Sequence, residues 1–251
     1  MNKIKRLFLN KKKNILNIYF TAGYPSIDSM PLILKILQNL KIDIVEIGIP
    51  YSDPLADGNI IQKSNTKSLK NGMNLSVLFY KLKKVKKYIN IPIILMGYYN
   101  QFIKYGEIKF LEDCIKSGVS GLILPDLPPS IYLNKYKKIF KKYKLAFIVL
   151  ITPQTSLKRI KMLSSITDYF LYIVSSNSTT GTKININLSF LERIKEINVP
   201  KLIGFGICDK KSLNLAFKYA EGAIIGSAFI KAIKKSYLEK SLERFIKSII
   251  M

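Results

Sequence analysis

Three acids, Glu46, Asp53 and Asp57, fall within one fifteen-residue stretch, Ile44-Val-Glu-Ile-Gly-Ile-Pro-Tyr-Ser-Asp-Pro-Leu-Ala-Asp-Gly58. The first of them interrupts an apolar, β-branched run. Ile44, Val45, Ile47 and Ile49 supply what a buried strand needs. Side chains alternate along a strand, so Glu46 shares a face with Ile44 and Gly48. A carboxylate buried without a partner is costly or titrates abnormally, and such groups concentrate at sites that do chemistry. Asp57 follows in a polar loop that begins at Pro50 and stops at Gly58. With Glu46 on the strand end and Asp57 on the loop, both carboxyls can face one cleft as a general acid/base pair. The plainer alternative is a strand-end glutamate paired with a lysine and two aspartates that cap turns.

The elements that must position these acids recur along the whole chain. Short apolar runs alternate with amphipathic, Lys-rich segments, the pattern of repeated βα units. The expected strands are 15–21, 44–49, 91–98, 121–124, 145–151, 169–174, 201–205 and 223–225. After the second strand comes a long loop, and only then a helix marked by Leu75, Leu78, Phe79, Leu82 and Val85. Further helices are expected within 102–116, over 130–142, and over 238–249. Thr155 or Ser156 caps the helix after the fifth strand, and Asp209 the one after the seventh. Eight strands, each with its helix, predict an α/β fold: a single (β/α)8 TIM barrel spanning 1–251, with an extra N-terminal helix. An open doubly wound sheet is the alternative architecture, though it rarely needs eight βα units.

In such barrels the chemistry sits at the C-terminal strand ends. Tyr19 and Thr21 end the first strand there, Tyr98 and Asn100 the third, Asp126 the fourth, and Tyr172 lies on the sixth. Three glycine-bearing turns suggest a phosphate: Thr180-Gly181 in loop six, Gly204-Phe205-Gly206 after strand seven, and Gly226-Ser227 after strand eight. Backbone N–H groups at glycine approach an anion closely, and a short apolar helix, 228–233, starts just beyond Ser227. Tyr19, Tyr98, Tyr172 and Phe205 fit a flat apolar ligand between the acids and the phosphate.

Composition narrows the field. With 251 residues and 48% hydrophobic content the chain can bury a large core. No apolar run is long enough to span a membrane. The segment Met1-Asn-Lys-Ile-Lys-Arg-Leu-Phe-Leu9 is basic, and Lys11 to Lys13 cut its apolar part short, so it reads as an amphipathic helix and not a signal peptide. Two cysteines, Cys114 and Cys208, form no disulfide framework and fit a reducing cytoplasm. A net charge of +25 would ordinarily suggest nucleic acid. Here the lysines spread over nearly every expected helix, and Lys, Ile and Asn are abundant together, as compositional drift would make them. Arginine is confined to Arg6, Arg159, Arg193 and Arg244, with no Arg-aromatic cluster for base readout. Neither nucleic acid nor membrane is expected as a partner.

The fifteen-residue stretch resembles the signature of the tryptophan synthase alpha subunit family. The resemblance continues in Phe20-Thr-Ala-Gly-Tyr-Pro25, Met96-Gly-Tyr-Tyr-Asn100, Leu124-Pro-Asp-Leu-Pro128, Gly204-Phe-Gly-Ile207 and Gly226-Ser-Ala228, and so covers essentially the whole chain. It implies retro-aldol cleavage of indole-3-glycerol phosphate to indole and glyceraldehyde 3-phosphate, with no metal or organic cofactor in this chain. It puts the catalytic carboxyls on Glu46 and Asp57, and phosphate contacts on Gly181, Gly206 and Ser227. It also implies a beta-subunit partner that carries pyridoxal phosphate and receives the indole, in a tetramer of two alpha and two beta subunits. Pro50, Asp53 and Asn100 then lie on the rim where that partner docks. Loop six departs from the family pattern: Ser178 replaces the usual first glycine of Gly-Val-Thr-Gly, and Ser176 stands where some members carry an arginine. Other phosphate-binding barrel lyases and a barrel that only activates its partner remain as alternatives. A Schiff-base enzyme would need a lysine inside an apolar strand, and none is there.

Overall fold

β-Branched and leucine-rich runs take up eight parallel strands, and their hydrogen bonds join them into a closed barrel in chain order, the last pairing with the first. In a computed structural model, which describes residues 1–55, 57–174, 188–204 and 206–250, the strands are β1 (Ile15–Thr21), β2 (Ile44–Gly48), β3 (Ile93–Met96), β4 (Gly121–Ile123), β5 (Ala146–Ile151), β6 (Leu171–Val174), β7 (Lys201–Gly204) and β8 (Gly222–Ile225). Closure leaves no sheet edge and gives every strand two buried faces, which is why the runs read as continuous apolar sequence rather than as alternation.

The two faces pack differently. Outward side chains such as Ile18, Phe20, Val45 and Ile47 meet the surrounding helices in the larger core. Inward side chains, among them Ile15, Ile44, Ile94, Ile123, Ile148, Leu202 and Ile224, fill the barrel itself. The lower end is closed by the N-terminal helix Lys3–Asn10, whose Ile4 and Phe8 join this inner cluster. Phe8 stacks on Phe170 with 5.8 Å between ring centroids. Asn2 caps that helix through its side-chain oxygen, and its amide donates to the carbonyls of Ser120 and Lys144 at 2.7 and 2.8 Å. Lys11 adds an ion pair to Asp43 at 2.7 Å.

Three expectations need correction. The long loop after β2 contains a helix, Asn59–Lys70. Its buried residues are Ser64, Asn65 and Ser68, all polar, so it has no apolar stripe for a periodicity reading to find. The helix expected over 130–142 is broken into Pro129–Ile131, a π-helical turn Tyr132–Tyr136, and Lys137–Tyr143. The wider turn keeps both Tyr132 and Tyr136 buried, Tyr132 stacked 3.9 Å from the Phe147 ring. The segment 102–116 is likewise two helices, Tyr99–Tyr105 and Glu107–Lys116, parted at Gly106, whose φ is +92°. Ser156 and Asp209 cap as expected, each accepting from a backbone N–H three residues on. Among the described residues no helix is long and apolar enough to cross a membrane.

Candidate active site

Glu46 lies on β2 with its side chain fully buried, opposite Tyr19 of β1 in the strand register. One of its oxygens, Oε2, accepts from the amide of Asn17 at 2.8 Å. The other, Oε1, has no hydrogen-bond partner among the described residues. Burial pushes the Glu46 carboxyl up to about 8, against the smaller downward pull of the Asn17 hydrogen bond. A group held near that value keeps its proton at neutral pH and can both give and take one.

Asp57 reaches the site from the loop, and the helix behind that loop holds it. Asn65 donates to Oδ2 of Asp57 at 3.1 Å, and Gln62 donates to its backbone carbonyl at 2.8 Å. Burial raises the Asp57 carboxyl to about 6, and the Asn65 bond offsets part of that. The two carboxyls therefore differ in protonation around neutrality, Glu46 neutral and Asp57 ionised. That split is what separates an acid from an anionic stabiliser within one site.

Tyr19 and Tyr172 are buried beside them, and the charges of both Glu46 and Asp57 act on each phenol, raising it together with burial. The four groups thus lie close enough to act on one another electrostatically. Glycines make room for the two rings: a Cβ on Gly48 would sit 2.1 Å from the Tyr19 hydroxyl, and one on Gly204 would sit 2.5 Å from the Tyr172 ring. Thr21 ends β1 with its hydroxyl committed to Ser64 at 2.6 Å, so it anchors the helix Asn59–Lys70 against the barrel. Among the described residues no three His, Cys, Asp or Glu side chains gather as metal ligands do.

The rim is built from loops two and three together. Tyr51 stacks on Tyr98 at 4.6 Å, Asn100 donates to the Tyr51 hydroxyl at 3.3 Å, and Gln101 donates to the carbonyl of Pro50 at 2.9 Å. Asp126 of loop four accepts from the Tyr99 backbone at 2.8 Å. Asp53 is exposed and accepts from the Ser52 hydroxyl at 2.5 Å. Beside it, Leu55 stands 91% exposed.

Comparison with known proteins bears on the whole of this arrangement. The family model for tryptophan synthase alpha chain matches residues 6–249. The chain belongs to the tryptophan synthase alpha chain family. It is 94% identical to the tryptophan synthase alpha chain of Karelsulcia muelleri, over all of both chains. To that of Flavobacterium johnsoniae it is 46% identical, covering 94% of this chain and 95% of the relative. Among solved structures it is similar to the tryptophan synthase A-subunit of Pyrococcus furiosus, with TM-score 0.87, 32% identity, and 96% and 99% of the two chains covered. A Mycobacterium tuberculosis tryptophan synthase structure, at 24% identity and TM-score 0.89, covering 99% of this chain and 96% of that one, shares the fold. As a tryptophan synthase alpha chain, the protein is a carbon–carbon lyase of tryptophan biosynthesis.

Of the three turns expected to hold a phosphate, the structure describes two in part. β7 and β8 are neighbours, so Gly206 and Gly226-Ser227 lie at adjacent strand ends. Ser227 opens the helix Ser227–Ala232, and Gly226 packs against Tyr19, where a Cβ would come within 3.3 Å of the ring. Gly206 has φ +78°, a conformation alanine would strain, so the informative substitution is at Ser227. We expect Ser227→Ala to weaken glyceraldehyde 3-phosphate by on the order of ten-fold, as loss of a hydrogen bond to a charged group does, and to leave indole binding unchanged. Titration of both ligands decides it, and equal loss would move the phosphate elsewhere. Thr180, Gly181 and Phe205 lie outside the described residues, as do Ser176 and Ser178.

Sequence reasoning missed Asn17, Tyr51, Gln62, Ser64 and Asn65. Only Asn17 left a usable signal, a lone amide in the apolar run Ile15–Thr21 on the same strand face as Tyr19.

Proposed function

We propose that Glu46 and Asp57 are the pair by which this lyase cleaves indole-3-glycerol phosphate to indole and glyceraldehyde 3-phosphate. The observation that carries the assignment is the placing of both carboxyls beside the same buried phenols of Tyr19 and Tyr172, where burial raises Glu46 to about 8 and Asp57 to about 6. Glu46 gives its proton to the ring carbon that bears the side chain, and the ring becomes an indoleninium cation whose N–H the Asp57 carboxylate stabilises. Glu46, now a carboxylate, takes the proton of the side-chain hydroxyl as the carbon–carbon bond breaks. The bonding pair returns to the ring, the hydroxyl carbon becomes the aldehyde, and Glu46 ends protonated as it began. Tyr19, Tyr98, Tyr172 and Phe205 bound the ring pocket in this reading, and Thr180, Gly181, Gly206, Gly226 and Ser227 hold the phosphate.

Both proton transfers fall to carboxyls of this chain, so the reading calls for no cofactor here. Pyridoxal phosphate is expected only in the beta-subunit partner, with two alpha and two beta subunits in a cytoplasmic tetramer. The decisive assay is indole release from indole-3-glycerol phosphate by the purified chain, alone and with a beta subunit. Measurable cleavage alone and faster cleavage with the partner are expected. Stimulation of the partner without any cleavage would leave a barrel that only activates.

In this reading the beta subunit docks at the rim that carries Pro50, Asp53 and Asn100, where loops two and three are tied by the Gln101 bond to Pro50. On this reading Asp53→Ala leaves cleavage by the isolated chain within about a few-fold of normal, because Asp53 moves no proton. The same change sharply lowers the maximal stimulation reached in a beta-subunit titration. Undiminished stimulation would reduce Asp53 to a turn residue.

A further inference from the structure

Below Glu46 the inward face of β1 carries one amide between Ile15 and Tyr19. This residue, Asn17, is 0% exposed, and its register partner is Ile44, one layer below Glu46. Its Nδ2 donates to Oε2 of Glu46, and its Oδ1 has no hydrogen-bond partner among the described residues. A buried amide with half its capacity unused destabilises a core that leucine of similar volume would fill. Packing therefore gives no reason for asparagine here. We propose that Asn17 is the positioning residue for Glu46: by engaging Oε2 it fixes the carboxyl's orientation and leaves Oε1 as the oxygen that gives and takes the proton.

This inference rests on the reading of Glu46 as the proton carrier. The chemistry follows from which atom donates. An amide N–H is accepted better by the carbonyl oxygen of a neutral carboxyl than by its hydroxyl, so the bond to Oε2 favours the proton on Oε1. When Glu46 has protonated the ring and become an anion, the same bond stays in place and is stronger, because its acceptor is now charged. Oε1 then receives the hydroxyl proton, and the starting state is restored with no rotation of the carboxyl. One hydrogen bond thus serves both halves of the cycle. Oε1 is buried and unpaired, and Glu46 and Asp57 act on the same two phenols, so Oε1 is the oxygen left free for a substrate.

Those three groups are also the titrating neighbours: Tyr19 on β1, Tyr172 on β6 and Asp57 in the loop after β2. Burial raises both phenols, so they stay neutral where Glu46 titrates, and Asp57 is already ionised below that range. The alkaline limb of activity consequently belongs to Glu46. The Asn17 bond favours the ionised carboxyl, so removing it moves that limb upward.

The test measures kcat and KM for indole release against pH in Asn17→Leu and Asn17→Ser, beside Glu46→Gln. The expected result is a fall in kcat on the order of ten-fold or more, from loss of orientation, with KM within about two-fold. The alkaline inflection should rise by about one pH unit, the worth of a hydrogen bond to a charged group. Thermal melts report folding, and if leucine fails to fold the smaller serine carries the test. An independent readout is the infrared carboxyl band of Glu46, identified by its disappearance in Glu46→Gln. That band should move to higher frequency once Oε2 loses its donor. Folded Asn17 variants with normal kcat, inflection and band would overturn the proposal while an inactive Glu46→Gln keeps the assignment of Glu46. An active Glu46→Gln would instead overturn that assignment, and this proposal with it.

Discussion

Glu46→Gln lowers indole release from indole-3-glycerol phosphate by on the order of 10²–10⁴-fold or more, the loss expected when a general acid/base is removed. Glyceraldehyde 3-phosphate still binds, because the residues assigned to the phosphate, Gly206, Gly226 and Ser227, lie at the ends of β7 and β8 and not on β2. The same variant has a second signature in stability. Burial holds the Glu46 carboxyl at about 8 in the fold against 4.5 for an ordinary glutamate. The folded chain keeps a proton that the unfolded chain releases. Stability from this group is therefore complete below about 4.5, declines as pH rises through that window, and is lost once the pH passes about 8. Glutamine carries no such dependence. Its stability should gain on the parent as pH rises, by on the order of a few kcal/mol at pH above the folded value, seen as a rising difference in melting temperature. Turnover and melting curves across pH check both parts. Near-normal cleavage would remove Glu46 from the mechanism, and a parallel pH dependence in both proteins would mean its carboxyl is not neutral in the fold.

Asp57→Asn carries the next largest effect. The asparagine keeps the shape and the contact with Asn65 but loses the negative charge that steadies the developing indoleninium cation, at a cost on the order of 10²–10³-fold in kcat. The sign of the pH effect follows from the roles. Asp57 must be ionised, so activity falls as pH drops through about 6, and Glu46 must be protonated, so activity falls as pH climbs through about 8. The parent gives a bell. Asp57→Asn keeps only the alkaline limb, at a much lower plateau. A surviving acid limb would assign that titration to another group.

The barrel was legible because its strands are buried on both faces, and such strands announce themselves as apolar runs whatever packs around them. The acids were legible for the opposite reason, since Glu46 breaks a run that has no use for charge. What escaped was the support. The helix Asn59–Lys70 buries Ser64, Asn65 and Ser68, so hydrophobic periodicity has nothing to register there. Yet Ser64 secures Thr21, and Asn65 and Gln62 hold Asp57. Tyr51 escaped likewise, because a tyrosine in a loop discloses neither the ring it stacks on nor the amide that reaches its hydroxyl. Residues that do chemistry stand out by type, whereas those that aim them are ordinary polar side chains identified only by what they touch.

The closure at the foot of the barrel has a bearing on the order in which the chain assembles. Asn2 bonds to carbonyls 118 and 142 residues further along, and Phe8 needs the ring of Phe170. These residues leave the ribosome before the strands they need, and so have no docking site until β4, β5 and β6 exist and have been brought together. Contacts that close such long loops form late, after most of the entropy of the intervening chain has been given up. Until then the apolar stripe of the N-terminal helix waits in solvent beside an unfinished core, an exposure that favours association between nascent chains.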